Sequence, residues 1–153
     1  MKKKQNWNVG DFFSIPLNSN GDLAFGQILS YEGEALGGVV CVFFDFNQIN
    51  IENTSEFKNR AISIIYTTNQ YFNNFKWNVL ENKNPVINIE RMLSADRKNG
   101  FVGVTVYGAE IVENFLNAYF GNSPWDRYYE PDFFDKMLLN KIKKPKNLIY
   151  KNN

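Results

Sequence analysis

The sequence predicts an α+β fold in which a curved, partly barrel-like antiparallel β-sheet carries two helices packed late in the chain. Two observations lead to this prediction. Apolar residues alternate with period two between turn residues in the first half, and after Gly108 the apolar period becomes that of an α-helix. At about 100–200 residues per domain, residues 1–153 are expected to form a single domain.

The first two strands form a predicted hairpin. The turn at Asn18 to Asp22 contains the Asn and Gly residues that tolerate a positive φ angle. Gly26, on the polar side of the second strand, indicates a close backbone approach or a bulge. Each strand has one apolar face: Phe13, Ile15 and Leu17 in the first, Leu23, Phe25, Leu29 and Tyr31 in the second.

A third strand occupies the predicted centre of the sheet. Val39 to Phe46 is apolar on both faces except at Asp45, which is typical of a strand that is covered on both sides. Ala61 to Thr68 and Lys76 to Glu81 are predicted as further short strands, and Asn69 to Phe75 as the loop or helical turn between them.

The last third of the chain changes from strand to helix. Phe101 to Tyr107 alternates once more, and a helix closed by Gly121 is predicted after Gly108. A second helix is expected to start near Pro131, because proline suits the first helical turn, and a basic tail from about 143 is expected to stay solvated. The predicted apolar faces are Ile111, Val112, Phe115, Leu116, Tyr119 and Phe120 in the first helix, and Phe133, Phe134, Met137, Leu138 and Ile142 in the second.

Composition excludes much enzyme chemistry. The chain has no histidine and one cysteine, so Ser-His and Cys-His catalytic pairs are impossible. Cys41 is expected to be a buried, inert thiol, and the carboxylates near Pro131 are explained by the helix dipole better than by a metal. We therefore expect no catalytic residues, no metal and no cofactor.

The location is expected to be the cytoplasm. No apolar run approaches the ~20 residues that cross a bilayer, and the opening of the chain is polar and rich in lysine instead of forming an apolar signal segment. A membrane role is therefore not expected.

Charge and aromatic residues point to a protein interface. The net charge is only +1, which argues against nucleic acid as the main partner. Six acidic residues and one basic residue lie between Ala109 and Asp135, and a dense run of aromatic and charged residues lies inside this stretch. These are residue types that anchor interfaces. The predicted partner-binding residues are Trp125, Asp126, Tyr129, Glu130 and Asp132. For Trp125, a second interpretation as a core residue stays open.

Three segments resemble the immunity protein 26 family of bacterial polymorphic toxin systems. The opening hairpin, from Val9 to Leu29, is similar to the start of the family, and Phe75 to Leu80 is similar to its internal tryptophan strand. Ser123 to Leu139 is similar to its C-terminal motif. There are two departures: Glu130 stands before Pro131 where an aspartate is expected, and Asn78 follows Trp77 where a proline is expected.

The resemblance implies a small cytoplasmic antitoxin that binds and inhibits a partner toxin without catalysis. Where the toxin is a nuclease, an acidic inhibitor can occupy its basic face. One alternative is a nucleic-acid-binding β-domain that uses exposed aromatics and the basic tail. Another is a small-molecule pocket lined by Asp45 or Trp77. The sequence leaves the identity of the toxin and the oligomeric state open.

Overall fold

A computed structural model describes residues 3–151, and the α+β class with a curved sheet is confirmed. The sheet has six strands in the order β5-β1-β2-β3-β4-β6 and is open at both edges. Met1 and Lys2 of the polar opening, and Asn152 and Asn153 of the basic tail, lie outside the described residues. The strands are β1 Asp11–Pro16, β2 Leu23–Glu32, β3 Gly38–Phe44, β4 Ala61–Thr67, β5 Asn78–Asn82 and β6 Val106–Tyr107.

Three α-helices flank this sheet. α1 spans Gln70–Asn73, α2 spans Glu90–Lys98 and α3 spans Ala109–Tyr119. α3 is the first predicted helix, and Gly121, which follows its C-cap residue Phe120 with φ +83°, closes it as expected. α2 was not predicted from the sequence. None of the helices in the described part of the chain is long and apolar enough to span a membrane.

Both faces of the sheet are buried. Phe13 and Cys41 point to the α3 face, where Val112, Phe115 and Leu116 of α3 pack on them. The alternate residues point to the α2 face, where Leu93 belongs to the same apolar cluster. Every residue of β3 is buried, which confirms the predicted central strand. Burial raises the pKa of the Cys41 thiol, so the reactive thiolate is disfavoured.

Of the two features that Gly26 indicated, the structure has the close backbone approach at Gly26 itself, and a bulge lies further along β2. A Cβ at Gly26 would lie 2.7 Å from the Phe13 ring and 2.7 Å from the Val42 carbonyl oxygen, so only glycine fits there. The pairing of β2 with β3 also shifts register between Ile28 and Ser30. Because a one-residue shift reverses the side-chain alternation, the bulge separates Tyr31 from the face of Leu29, and Tyr31 instead contacts Trp7.

Two predicted elements differ in the structure. Of Phe101 to Tyr107 only β6 is a strand, and it pairs parallel to β4, so the sheet is mixed. The preceding residues turn through Gly100, Phe101 and Gly103, which all have positive φ. In β5, the strand begins at Asn78 instead of Lys76.

The second predicted helix is replaced by two 3-10 turns, Phe134–Met137 and Lys141–Lys143. Between them Leu138 is extended, and the Leu139 N–H donates to the Ile62 carbonyl at 2.7 Å. This bond gives the carbonyl of Ile62, on β4, a hydrogen-bond partner. Pairing with the sheet therefore decides the backbone conformation here, although the apolar residues have helical spacing.

An ion pair joins α2 to the sheet. Glu32 is only 7% exposed, and its carboxylate accepts from Arg97 Nε at 2.6 Å and from Nη2 at 3.0 Å. These bonds hold the pKa of Glu32 below its usual value against the opposing effect of burial, and the Ser30 hydroxyl lowers it further. Nearby, the Tyr66 hydroxyl donates to Asp96 at 2.6 Å. The C-terminal end of α2 is therefore joined to β2 and β4 by polar contacts.

Gly26→Ala should destabilise the fold strongly, because one of the two close atoms belongs to the backbone and cannot rotate away. We expect a loss of about 2 kcal/mol or more in the free energy of unfolding, measured by urea denaturation. Gly33→Ala is the control, since its nearest neighbour would be 3.9 Å away. Equal stability of the two variants would contradict the packing described here.

Glu32→Gln should lower stability at neutral pH by about 2 kcal/mol, because it removes a charged hydrogen-bond acceptor. A lowered folded-state pKa stabilises above the unfolded pKa of about 4.3, and this contribution is lost as the pH falls through the folded value. Acidification from pH ~6 to ~3 should therefore cost the variant less stability than the parent. Urea denaturation across this range measures it, with the exposed neighbour Glu34→Gln as control. Identical acid dependence of parent and Glu32→Gln would refute the assignment.

Candidate partner-binding surface

Residues 122–151, here the C-terminal segment, fold back along α3 and the edge of β4. The Trp125 N–H donates to the Ile149 carbonyl at 2.8 Å, so the two ends of the segment are bonded to each other. The Lys151 N–H donates to Asp126 Oδ1 at 2.9 Å. Trp125 near the start of the segment and Tyr150 near its end also pack with the core cluster on the α3 face, so the predicted interface residues lie on an anchored segment.

Trp125 is a core residue. Its side chain is 1% exposed and packs 5.7 Å from the ring of Phe115 and 5.4 Å from that of Phe134. Its indole N–H donates to Asp135 Oδ1 at 3.0 Å, which satisfies the one polar atom of the buried ring. Of the two interpretations left open by the sequence, the structure supports the core one, and the prediction of Trp125 as a contact residue is corrected.

Asp135 connects this buried ring to the surface. The same Oδ1 that accepts from Trp125 lies 2.9 Å from Lys144 Nζ. That hydrogen bond raises the pKa of Lys144. Asp135 therefore serves the packing of Trp125, and its position also draws the basic tail onto the segment.

Tyr128 and Tyr129 have opposite roles. The Tyr128 ring packs 4.9 Å from Phe133 and 5.3 Å from Phe134, and its hydroxyl accepts from Asn114 of α3 at 2.8 Å. The Tyr129 ring is fully exposed. Tyr128 is therefore anchored to α3, and Tyr129, the next residue in the chain, exposes its ring to solvent.

The remaining predicted residues lie within three positions of Tyr129 in the chain and are at least partly exposed. Glu130 and Asp132 are exposed, and Asp126 is half-buried where it accepts from Lys151. Four of the five predicted residues, all but Trp125, are thus at least partly accessible. Whether they touch a partner stays a prediction.

The surface carries mixed charge instead of the acidic face that the sequence indicated. Lys136 Nζ lies 2.9 Å from Glu130 Oε2, and this hydrogen bond, with the charges of Glu130 and Asp132, raises the pKa of Lys136. Lysines that follow the acidic stretch in sequence fold back over it, so opposite charges lie side by side. Counting charge along the chain cannot reveal this.

The basic tail is part of the fold. Lys143 Nζ donates to the Asn59 carbonyl at 2.8 Å, and Lys144 pairs with Asp135. The expectation of a solvated tail from about 143 is therefore wrong for these two lysines.

The two residues named for a small-molecule pocket have structural contacts. Trp77 is fully buried and stacked 5.6 Å from Phe13, and its indole N–H donates to Glu113 of α3 at 3.2 Å. Asp45 pairs with Arg60. Trp77 therefore belongs to the core, and Asp45 has a charge partner.

Sequence reasoning missed two exposed apolar residues elsewhere. Leu36 and Phe75 have positive φ and are 88% and 49% exposed. The neighbouring Gly37-Gly38 pair indicates a turn, but neither the sign of φ at Leu36 nor its exposure can be read from that pair.

Trp125→Ala and Tyr129→Ala should differ sharply in stability although each removes an aromatic ring. We expect Trp125→Ala to cost about 3–5 kcal/mol because it leaves a core cavity, and Tyr129→Ala to change stability by less than about 0.5 kcal/mol. Urea denaturation followed by circular dichroism measures both. Comparable losses would mean that the Tyr129 ring is not free in solution.

Comparison with known proteins identifies a family. The family model described as Immunity protein 26 matches residues 8–96, more than half of the chain. The match includes the opening hairpin and the tryptophan strand, while Ser123 to Leu139 lies beyond it. The comparisons with curated proteins and with solved structures returned no match. On the family match, and in agreement with the resemblance noted in its sequence, this chain belongs to the immunity protein 26 family.

Proposed function

We propose that this protein is a non-catalytic antitoxin of a bacterial polymorphic toxin system. It binds a cognate toxin domain in the cytoplasm of the producing cell and neutralises it in a stoichiometric complex. Membership of an immunity protein family supports a toxin as the partner. The observation that carries the interface is Tyr129, a fully exposed aromatic ring on an anchored segment.

The proposed contact residues are Asp126, Tyr129, Glu130 and Asp132. Trp125, which is buried in the core, anchors the segment that carries them. Tyrosine is enriched among the residues that dominate binding energy, because it buries a large ring and adds a hydroxyl. Since the ring packing of Tyr128 and the bonds of Trp125 already order this segment, binding costs little further conformational entropy.

The charges around Tyr129 fit a toxin surface that itself carries both signs. Glu130 lies beside Lys136, and the exposed Arg127 precedes the tyrosine pair. Alternating charges give specificity by penalising wrong partners. Where the toxin is a nuclease, Glu130 and Asp132 are the carboxylates that would face its basic residues.

The pairing of two lysines of the C-terminal segment argues against the nucleic-acid alternative. Lys136 and Lys144 are each bonded to a carboxylate, so phosphate would have to compete with an internal partner. Binding through phosphate contacts would weaken steeply with salt. A salt titration with free nucleic acid separates this alternative from an inhibitor, which should not bind it at physiological salt.

The test of the function is a survival assay. The C-terminal domain of each neighbouring open reading frame is expressed in a sensitive host with and without this protein. Rescue from one toxic domain, together with a 1:1 complex on gel filtration, is the expected result. Continued toxicity while the folded protein is abundant would overturn the proposal for that toxin.

Substitutions at the surface should weaken the complex without unfolding the protein. We expect Tyr129→Ala to raise the Kd at least about tenfold, mainly through faster dissociation. Glu130→Lys with Asp132→Lys should mainly slow association with a basic toxin face. Surface plasmon resonance measures both rates.

The matched control is Glu52→Lys with Glu81→Lys, which changes the net charge equally at exposed positions outside the C-terminal segment. The control should leave both rates close to those of the parent. If all three variants bind the toxin as the parent does, the interface lies elsewhere on the domain.

A further inference from the structure

A second exposed surface lies at the end of the sheet where β2 turns into β3. Here, the hairpin-end surface denotes Lys3, Lys4, Trp7, Tyr31, Leu36 and residues 69–75. The Trp7 and Tyr31 rings are 5.5 Å apart at 80° to each other. A Cβ at Gly37 would lie 3.8 Å from both Asn69 Nδ2 and Tyr31 Oη. The β2–β3 turn, α1 and the N-terminal segment therefore form one continuous surface.

Two exposed apolar residues on this surface have backbone conformations that are unfavourable for folding. Leu36 has φ 55° and Phe75 has φ 66°, a left-handed conformation that glycine and asparagine tolerate better. Leu36 is 88% exposed and Phe75 is 49% exposed, so burial does little to offset the strain. Strained residues that packing does not explain are found mostly at functional sites.

The hairpin-end surface contains a cavity lined by two lysines and four side-chain amides. It has a volume of about 630 Å³ and is lined by Lys3, Lys4, Asn69, Gln70, Asn73 and Asn74. The three asparagine oxygens are occupied: Asn69 Oδ1 accepts from Asn73, Asn73 Oδ1 from Trp7 Nε1, and Asn74 Oδ1 from the Lys76 N–H. The amide N–H groups of Asn69 and Asn74 and the ammonium groups of Lys3 and Lys4 are donors that this cavity can offer a ligand. The two positive charges favour an anionic acceptor such as a carboxylate.

We propose that the hairpin-end surface binds a segment of a protein partner that carries glutamate or aspartate together with apolar side chains. The carboxylates meet Lys3, Lys4 and the asparagine amides, and the apolar side chains pack on Leu36 and Phe75. This goes beyond the proposed toxin complex, because it assigns a second surface that shares no residue with the one around Tyr129.

A protein segment suits this surface better than the phosphates of a nucleic acid. Leu36, the more exposed of the two strained residues, is aliphatic and offers no ring on which a base could stack. Only two lysines line the cavity, fewer than the several phosphate contacts that hold a nucleic acid. Contact with the leucine and phenylalanine side chains of a peptide uses both exposed apolar residues.

The probe is a short acidic peptide of alternating glutamate and leucine, titrated into the isotope-labelled full chain with amide chemical-shift mapping. We expect shifts confined to residues 3–7, 31–37 and 69–75. The same peptide with glutamine in place of glutamate should bind at least about fivefold more weakly, since it lacks the charge that the lysines attract.

Leu36→Asn is the decisive variant. It should keep or raise the melting temperature, because asparagine tolerates the left-handed backbone, and should weaken peptide binding at least about fivefold. Val102→Asn, at an exposed apolar residue outside the surface, is the matched control and should bind as the parent does. Lys3→Gln with Lys4→Gln should reduce the salt dependence of peptide binding.

Four outcomes would overturn the proposal. These are shifts elsewhere or none at all, unchanged affinity in Leu36→Asn, equal binding of a short single-stranded oligonucleotide, and self-association of the chain that Leu36→Asn abolishes. The first two remove the surface, and the last two replace the occupant by nucleic acid or by a second copy. If the peptide does not bind, the expected rescue in the survival assay is unchanged. If rescue fails, the expected peptide-induced shifts are unchanged. The two proposals are therefore tested separately.

Discussion

The ring of Phe13 lies against the bare backbone of Gly26, and much of the α3 face depends on this contact. Because no Cβ intervenes, the ring sits low on the sheet and leaves room for Trp77 to stack on it at 5.6 Å and for Phe72 at 4.7 Å. Trp77 in turn donates to Glu113 of α3. The absence of a side chain at Gly26 of β2 therefore determines how closely the segment between β4 and β5, and with it helix α3, packs on the sheet.

Both exposed surfaces are extensions of this aromatic packing. On one side Phe72 contacts Trp7, which orders the N-terminal segment beside Tyr31. On the other side Phe115 of α3 contacts Trp125, which fixes the segment that presents Tyr129. Each exposed aromatic side chain is thus the neighbour of a packed one. Such an arrangement gives rigid contact residues, which is what an inhibitor needs in order to lose little entropy on binding.

The sequence predicted what local periodicity determines. The predicted positions of β1 to β4 and α3 are close to the observed ones, and Gly26 was predicted at a close backbone approach. These features depend on side-chain alternation, helical spacing and the small size of glycine, which can be recognised within a few residues. The sequence could not reveal α2, whose single buried residue Leu93 makes a weak stripe and whose attachment depends on the distant Glu32. It also predicted a helix after Pro131, where a bond from Leu139 to the distant strand β4 decides the conformation. For the candidate site, the residue types were readable, but the burial of Trp125 and the pairing of Glu130 with Lys136 arise only in three dimensions.

The arrangement of polar groups separates residues that hold the domain together from residues free to bind. Asp135, Glu113 and Glu32 each have a fixed partner that is a buried indole or a guanidinium, so changing them would damage packing first. Within residues 3–151, neither burial nor a side-chain hydrogen bond explains the presence of Tyr129 and Leu36, and Leu36 adds backbone strain. Folding alone gives no reason to keep a leucine at φ 55° in solvent, since glycine or asparagine would serve the turn better. Contact with another molecule, as proposed for both residues, would supply that reason, because backbone strain that packing does not explain is found mostly at functional sites.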